Sequence, residues 1–330
     1  MRHYCTYFDS RYLSRGLALY DSLRRVTPPF HLWVLCLDDI CYDALCSLQL
    51  AGVAPVRLAE VEQADASFLS SKDNRSTLEY YFTSTAVFIS FLFKKNSEID
   101  ILTYIDADIF FFQTPEFLFD QFHDASVQIV PHRYSERNRS LEKWGKYNVG
   151  WVVFRRDDAG LACLSWWRES CIEWCYDRLE GDRFADQKYL DRFPRDFSRV
   201  QIVEHIGVNV APWNLDTGSL SRADDGALLF RGQPLIFFHF HKLRQIASAL
   251  WRTRLSDYGA KLDRPTRDCL YIPYIRQLAS TERELRPLLS NPQLPEPLLR
   301  GGLKRSGLAL SNGVRTVAAG LRRDSIFCMA

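Results

Sequence analysis

The 330-residue sequence lacks the marks of several protein classes. Its longest strongly apolar run near the middle, residues 87–93, is too short to cross a bilayer. The first nine residues hold no apolar segment followed by a small-residue cleavage site, so we expect no secretory signal. The 42 basic and 40 acidic residues leave a net charge of +2, which gives no support for nucleic-acid binding. Neither a P-loop nor a GxGxxG pattern is present.

The cysteine pattern is also informative by what it lacks. Nine cysteines are present, an odd number, and none belongs to a CxxC pair. The pattern therefore indicates neither a disulfide framework nor a zinc ribbon. We expect free thiols in a reducing compartment, which predicts a cytoplasmic location.

Strand and helix patterns alternate along the first sixty residues. Residues 4–8, 31–37 and 55–58 are predicted strands. Between the first two, Leu19, Leu23 and Val26 recur at helical spacing, with Ser14 as the predicted cap. Such alternation predicts a parallel sheet with helices on both faces.

The same periodicities continue through the rest of the chain. They predict a helix over 77–93 and strands over 101–105, 127–130, 149–154 and 234–240, with an extended piece over 109–112. A long helix is predicted from residues spaced by three and four, namely Leu164, Trp167, Cys171, Trp174 and Arg178. The fold class is therefore α/β, with one central, mostly parallel sheet.

The composition changes after about residue 280. Four prolines follow, and residues 300–330 contain six basic residues against one acid, Asp324. We predict one domain over residues 1–280, then a linker and a basic tail over 281–330. Two interpretations of the tail stay open: peripheral contact of residues 300–330 with an anionic membrane at its inner face, or a mobile terminal helix or docking segment.

The pair Asp106 and Asp108 carries the strongest chemical signal. It follows directly after the apolar strand predicted over 101–105. In extended backbone, residues two apart point to the same side, and ligands of parallel α/β sheets bind at the carboxyl ends of strands. Two carboxylates held together repel each other, and a divalent cation relieves that repulsion. Oxygen ligands favour Mn²⁺ or Mg²⁺.

A second polar group ends the late strand. His239 and His241 offer imidazoles that can complete a metal site, while Lys242 and Arg244 offer cations for phosphate oxygens. Either His239 or His241 could be the metal ligand.

Two further motifs are typical of polar ligand contacts. Asn148 and Gly150 begin a buried strand, where an amide and a bare backbone can approach a ligand closely. Asp186 and Gln187 stand side by side at a predicted helix start and can hydrogen-bond several hydroxyls; taken alone they equally fit an N-cap.

In this order and spacing, the four motifs resemble those of the metal-dependent GT-A fold glycosyltransferases. The similarity lies in short motifs across about residues 3–250 and is greatest to the retaining group that includes glycogenin and the bacterial lipopolysaccharide galactosyltransferases. It implies a single Rossmann-like GT-A domain. It implies that Asp106 and Asp108 bind Mn²⁺ and the donor diphosphate, with His239 as the third ligand and His241 as the alternate.

The resemblance also implies roles for other residues. Asn148 and Gly150 would contact the donor sugar, and Asp186 and Gln187 its hydroxyls at the reacting centre. The first strand resembles the family's base-binding strand, which implies that Tyr7, Asp9 and Tyr12 hold the nucleobase. Three departures stand out. Lys242 replaces a glycine of the family motif, no Lys-Pro-Trp follows, and the basic residue usual before the aspartate pair has only Lys72 and Arg75 as candidates.

The function implied is transfer of a sugar, a hexose by expectation, from a nucleoside-diphosphate sugar to an acceptor hydroxyl. A UDP-sugar donor and retention of anomeric configuration follow from the family. The acceptor stays open among a glycan, a lipid-linked glycan and a protein. The alternatives are a metal-dependent nucleotidyltransferase or phosphoesterase, and an inactive protein that binds sugar nucleotide or a membrane surface.

Overall fold

A computed structural model of the chain describes residues 1–247, 249–289 and 324–328. The strands in these ranges are β1 (Arg2–Phe8), β2 (Phe30–Cys36), β3 (Val53–Arg57), β4 (Ile101–Ile105), β5 (Ile109–Phe111), β6 (Val127–Pro131), β7 (Tyr147–Arg155), β8 (Val200–Ile202), β9 (Leu220–Arg222), β10 (Leu228–Phe230), β11 (Gln233–Pro234), β12 (Phe237–His239), β13 (Arg244–Ala247), β14 (Leu250–Arg252) and β15 (Ser325–Phe327). The helices are α1 (Leu13–Val26), α2 (Asp39–Leu48), α3 (Leu58–Ala64), α4 (Ala66–Ser71), α5 (Thr77–Lys95), α6 (Glu116–Asp120), α7 (Asp158–Glu173), α8 (Phe193–Asp196) and α9 (Ile272–Leu289).

A seven-stranded sheet with the order β3-β2-β1-β4-β7-β6-β8 forms the centre of the protein. β1 pairs in parallel with β2 and β4, and β2 pairs in parallel with β3. β7 runs antiparallel to both of its neighbours, β4 and β6. The mostly parallel sheet predicted from the sequence is confirmed. Because β7 runs in the opposite direction, its first residues lie at the same edge of the sheet as the carboxyl end of β4.

The two faces of this sheet pack into separate apolar clusters. On β1, Tyr4 and Phe8 belong to one cluster and Cys5 to the other, as the alternation of a strand requires. Residues of α1 and α2 cover the first face, and residues of α5 and α7 cover the second. The predicted placement of helices on both faces is therefore confirmed.

Helix α5 packs on the second face of the sheet. It begins with a capping box, in which the Ser76 hydroxyl accepts from the Glu79 N–H and the Glu79 carboxylate accepts from the Ser76 N–H. The predicted helix is confirmed and extends two residues further, to Lys95.

The small antiparallel pair of β5 and β12 brings distant parts of the chain together. β5 follows Asp106 and Asp108 directly, and in its register with β12 Ile109 lies opposite His239. The backbone N–H of Phe240 donates to the carbonyl of Asp108 over 2.9 Å. This pairing places the end of the late strand beside the aspartate pair.

Three local predictions were wrong. The single strand expected over 234–240 is divided into β11, which ends at Pro234, and β12, which begins at Phe237. The long helix that was to include Trp174 and Arg178 ends at Glu173, because Trp174 takes an extended backbone and the Tyr189 hydroxyl donates to the carbonyls of Ser170 and Trp174. Ser14 does not cap α1. A 3₁₀ turn capped by the Asp9 side chain precedes the helix and moves its start back to Leu13.

Helix α9 packs against α1 and runs through residue 280, where the composition changes. Residues 290–323 lie outside the described residues, and with them most of the predicted linker and basic tail, so the division into residues 1–280 and 281–330 stays a prediction. Residues 324–328 are described: β15 pairs antiparallel with β14, and the Ser256 N–H donates to the Asp324 carboxylate over 2.9 Å. No helix in the described part of the chain is long and apolar enough to cross a membrane.

Candidate active site

Asp106, Asp108 and His239 form a compact cluster at the carboxyl end of β4. Nε2 of His239 lies 3.0 Å from a carboxylate oxygen of Asp108 and 3.7 Å from one of Asp106. One ligand atom from each residue lies within 4.8 Å of the other two. The aspartate side chains are 27% and 15% exposed, whereas His239 is 4% exposed. The imidazole of the cluster is therefore buried, whereas its two carboxylates are partly exposed to solvent.

The charged groups of the cluster shift one another's pKa values. Burial opposes ionisation of Asp108, but the adjacent His239 imidazolium outweighs it and lowers the pKa of Asp108 to about 2. Burial disfavours the charged form of His239, yet the carboxylates of Asp108 and Asp106 raise its pKa. Burial raises the pKa of Asp106, opposed by His239 and reinforced by Asp108. A divalent cation would replace the imidazole proton as the group that balances two close carboxylates, and two oxygens with one imidazole nitrogen suit Mn²⁺ or Mg²⁺.

The alternate ligand His241 lies outside this cluster. Its ring centre is 5.9 Å from that of His239, and Trp213 contacts the edges of both rings at 5.1 and 5.3 Å. Burial and the neighbouring His239 charge lower the pKa of His241 to about 3. The structure thus brings His239, and not His241, to the aspartate pair.

Asn148 and Gly150 form the adjoining wall at the start of β7. The Asn148 amide oxygen accepts from the Gly150 N–H over 3.1 Å, and the Gly150 carbonyl accepts from the Asp106 N–H over 3.3 Å. A methyl group at Gly150 would lie 2.6 Å from the Asn148 oxygen, 3.1 Å from Nδ1 of His239 and 3.2 Å from the Asp106 carboxylate. Only glycine leaves room here for the three polar groups.

Asp186 is buried beside the cluster, against helix α5. The Thr85 hydroxyl donates to its carboxylate over 2.7 Å, and the Trp167 indole donates to its backbone carbonyl over 2.9 Å. Ala185, directly before it, has a φ of 45°, which is strained for a residue with a side chain. Burial raises the pKa of Asp186 to about 7, Thr85 opposes the shift and the Asp106 charge adds to it. The carboxylate is thus held near the midpoint of its titration at neutral pH.

Gln187 connects Asp186 with the wall formed by Asn148 and Gly150. Its amide oxygen accepts from the Asn148 side chain over 3.1 Å, and its amide N–H donates to the Trp144 carbonyl over 3.2 Å. Asn148, Asp186 and Gln187, which were separate motifs in the sequence, therefore share one side of the site.

The predicted base-binding residues diverge at the end of β1. Tyr7 faces inward, packing against Tyr104 with ring centres 5.8 Å apart, and burial raises its pKa. The Asp9 carboxylate accepts from the backbone and side chain of Arg11. Tyr12 is 42% exposed and carries the Arg15 guanidinium 4.5 Å above its ring centre. Of the three, Tyr12 offers an accessible ring.

Lys242 and Arg244 follow His241 in the chain. Lys242 has a φ of 61°, the left-handed conformation that glycine favours, and its Nζ lies 3.4 Å from the Tyr258 hydroxyl. Arg244 is exposed at the start of β13. Lys242 therefore adopts the left-handed backbone conformation that would suit the glycine expected here from the resemblance.

Comparison with known protein sequences assigns the chain to a family. The chain is 33% identical over 251 residues to the uncharacterised protein YfnF of Bacillus subtilis strain 168, covering 74% of this chain and 82% of YfnF. It belongs to the YfnF family. It is also 29% identical over 283 residues to YfnD of the same strain, covering 84% of this chain and 88% of YfnD. No family model matches the sequence.

Among solved structures, the galactosyltransferase LgtC in complex with donor and acceptor sugar analogues superposes with a TM-score of 0.50. The identity is 15%, and the match covers 87% of this chain and all of LgtC. At that identity the likeness shows the fold, and the GT-A-type α/β fold that the sequence resemblance implied is confirmed for this YfnF-family chain.

Several residues at the site of this YfnF-family chain had no motif to reveal them. Thr85 lies 101 positions before the carboxylate it binds, and the Tyr104 hydroxyl donates to Asp106 over 2.9 Å from inside β4. Arg15, which lies on α1, also belongs to none of the four sequence motifs. The two candidates for the missing basic residue are engaged elsewhere: Lys72 pairs with Glu62, and Arg75 donates to the Ile172 carbonyl. The helical position facing Asp186 holds the neutral Thr85, which only the tertiary structure could reveal.

Proposed function

We propose that this protein is a glycosyltransferase that moves a sugar from a nucleoside-diphosphate sugar, a UDP-sugar in the first instance, to an acceptor hydroxyl. The observation that carries the proposal is the cluster of Asp106, Asp108 and His239, whose ligand atoms lie within 4.8 Å at the carboxyl end of a central strand. The proposed cofactor is Mn²⁺ or Mg²⁺, held by these three residues. Such an ion supplies Lewis-acid stabilisation of the leaving diphosphate.

The two sides of the cluster suggest how a donor is oriented. Tyr12, with its accessible ring, is the proposed stacking partner of the base, and Asp9 and Tyr7 are further proposed base contacts. Lys242 and Arg244 are the proposed partners of the phosphates, because charge-assisted hydrogen bonds to phosphate oxygens are strong. On the opposite side, Asn148 and Gly150 would contact the sugar.

Asp186 and Gln187 are the proposed residues nearest the reacting carbon. The Asp186 carboxylate is held by Thr85 and the Gln187 amide by Asn148, so both are oriented by hydrogen bonds before a donor binds. Preorganised polar groups of this kind stabilise charge that develops during reaction, at about 2–4 kcal/mol for each contact. We propose transfer of a hexose with retained anomeric configuration, which NMR of the product tests directly.

The acceptor is proposed to be a glycan, a lipid-linked glycan or a protein hydroxyl. A membrane-bound acceptor would agree with the proposal that the protein is cytoplasmic, with peripheral contact through residues 300–330. Sedimentation with anionic vesicles tests that contact separately from catalysis.

A thermal-shift panel of UDP-, GDP- and dTDP-sugars with Mn²⁺ or Mg²⁺ identifies the donor, because a ligand that binds the folded state raises the melting temperature. Donor hydrolysis and transfer are then measured with the stabilising nucleotide sugar. The Asp106→Asn, Asp108→Asn double variant should lose metal-dependent turnover. The matched control is Asp224→Asn, Asp225→Asn, an adjacent exposed pair.

Undiminished turnover in the Asp106→Asn, Asp108→Asn variant would refute the metal role. Release of pyrophosphate or of nucleoside monophosphate, in place of nucleoside diphosphate and transferred sugar, would instead establish the nucleotidyltransferase or phosphoesterase alternative. Nucleotide-sugar binding without turnover on any acceptor or on water would establish an inactive binding protein.

A further inference from the structure

Arg15 occupies the junction between the start of α1 and the turn that follows β12. Its Nη2 donates to the carbonyl of Leu243 over 3.0 Å, and its guanidinium carbon lies 4.5 Å from the centre of the Tyr12 ring. The Leu243 N–H donates to the Phe240 carbonyl, and the Phe240 N–H donates to the Asp108 carbonyl. The guanidinium is thus fixed between an exposed aromatic ring and the segment bonded to the proposed metal ligand.

The charge of Arg15 is not balanced by an ion pair within the described residues. Among the described residues no carboxylate forms an ion pair with it, and the bond to Leu243 uses one of its five N–H donors. Two carboxylates lie within its electrostatic range, Asp108 and Glu282, and its charge favours their ionised forms. Glu282 accepts instead from the Ser14 hydroxyl over 3.3 Å. A half-buried cation without an ion pair beside a proposed metal site is suited to an anionic ligand.

We propose that Arg15 binds the diphosphate of the nucleotide donor. In a nucleoside-diphosphate sugar the phosphates lie between the base and the sugar. Arg15 contacts Tyr12, the proposed base contact, and also the turn at Leu243, whose segment is bonded to Asp108, the proposed metal contact. A planar guanidinium with free N–H donors matches paired phosphate oxygens better than an ammonium does. Arg15 together with Lys242 and Arg244 would surround the diphosphate with cations from two separate segments of the chain.

This inference rests on the proposed function, and a purely structural role for Arg15 makes a different prediction. If Arg15 only holds the turn at Leu243, its loss disturbs the base contact and the phosphate contact together. If it binds phosphate, its loss weakens the nucleoside diphosphate and spares the nucleoside.

The test is calorimetric and competitive titration of uridine and UDP, with Mn²⁺ present, against the full chain and three variants. Arg15→Gln removes the charge, Arg15→Lys keeps it without the fork, and Arg24→Gln removes an exposed arginine of the same helix. We expect Arg15→Gln to weaken UDP about 10- to 100-fold and uridine less than twofold, Arg15→Lys to recover part of the loss, and Arg24→Gln to match the wild type. Guanosine with GDP and thymidine with dTDP serve in the same way if the donor panel selects another base.

Equal weakening of uridine and UDP by Arg15→Gln, or none of either, would overturn the assignment. So would a large fall in the melting temperature of unliganded Arg15→Gln that Arg15→Lys does not restore, since that identifies a structural role. Failure of the wild type to bind any of the nucleoside diphosphates would refute the proposed function itself, and Arg15 with it.

Discussion

Replacement of Asp186 by asparagine should make the protein more stable at neutral pH while lowering its activity. The carboxylate is 5% exposed and its pKa is raised from 3.8 to about 7, first by burial and then by the Asp106 charge. In the unfolded chain the same group ionises with its ordinary pKa. A tenfold change in a protonation equilibrium is worth about 1.4 kcal/mol, so this gap amounts to about 4 kcal/mol.

The sign of the effect follows from proton binding. Between pH 4 and pH 7 the folded state keeps the Asp186 proton that the unfolded state has lost, so the wild type loses stability as the pH rises. Below pH 4 both states are protonated, and above about pH 7 both are ionised. An asparagine retains an oxygen for the Thr85 hydroxyl and does not titrate, so its free energy of unfolding lacks this dependence. A difference of about 4 kcal/mol is large beside total stabilities of about 5–15 kcal/mol.

Urea denaturation at intervals between pH 4 and pH 8.5, with EDTA present, measures the difference. We expect the Asp186→Asn variant to equal the wild type near pH 4 and to exceed it increasingly up to pH 7. Asp182→Asn, an exposed aspartate four positions earlier, is the control and should follow the wild type throughout. Parallel stability curves for Asp186→Asn and wild type would show that Asp186 is not held protonated by burial, and the reasoning would fail.

Substitutions at three further positions test the geometry of the site. Gly150→Ala should lower donor turnover at least about tenfold, because its methyl group would lie 2.6 Å from the Asn148 oxygen and displace the Asn148 side chain. Kinetics at saturating donor concentration measure this effect. Lys242→Gly should change the free energy of unfolding by less than about 1 kcal/mol, whereas Lys242→Val should cost about 1–2 kcal/mol at a φ of 61°, and equal melting of the two variants would contradict it. Thr85→Val removes the donor to Asp186, so the pKa of Asp186 should rise further and the acidic limb of the activity profile should move to higher pH, with recovery in Thr85→Ser.

The sequence predicted those parts of the fold that depend on local pattern. β1, β2 and β4 are short apolar runs followed by polar residues, and the aspartate pair directly after β4 could be assigned to a sheet edge because carboxyl ends of parallel strands bind ligands. The chemistry of the residues left both His239 and His241 as candidates for the third ligand, and the family resemblance favoured His239. The antiparallel pairing of β5 with β12 brings His239 to Asp108.

Other features depend on tertiary contacts that no local pattern contains. The end of α7 at Glu173 is stabilised by the Tyr189 hydroxyl, which is remote in sequence and invisible to helical periodicity. The choice between His239 and His241 depends on where β12 ends, because His239 is its last residue and lies opposite Ile109, whereas His241 lies beyond the strand. Thr85 gave no signal because threonine in an apolar helix is ordinary until a buried carboxylate is placed against it.

The pairing of β15 with β14 affects how the basic tail can be studied. β14 is the middle strand of a small sheet, and Ile326 of β15, only 2% exposed, lies opposite Trp251. A chain cut at residue 300 would lose that strand and leave the backbone groups of β14 as an open edge that invites self-association. Such a truncated protein could precipitate or adhere to vesicles for reasons unrelated to its basic residues. An internal deletion that rejoins residue 324 to the body of the protein would remove the charge and keep this edge covered.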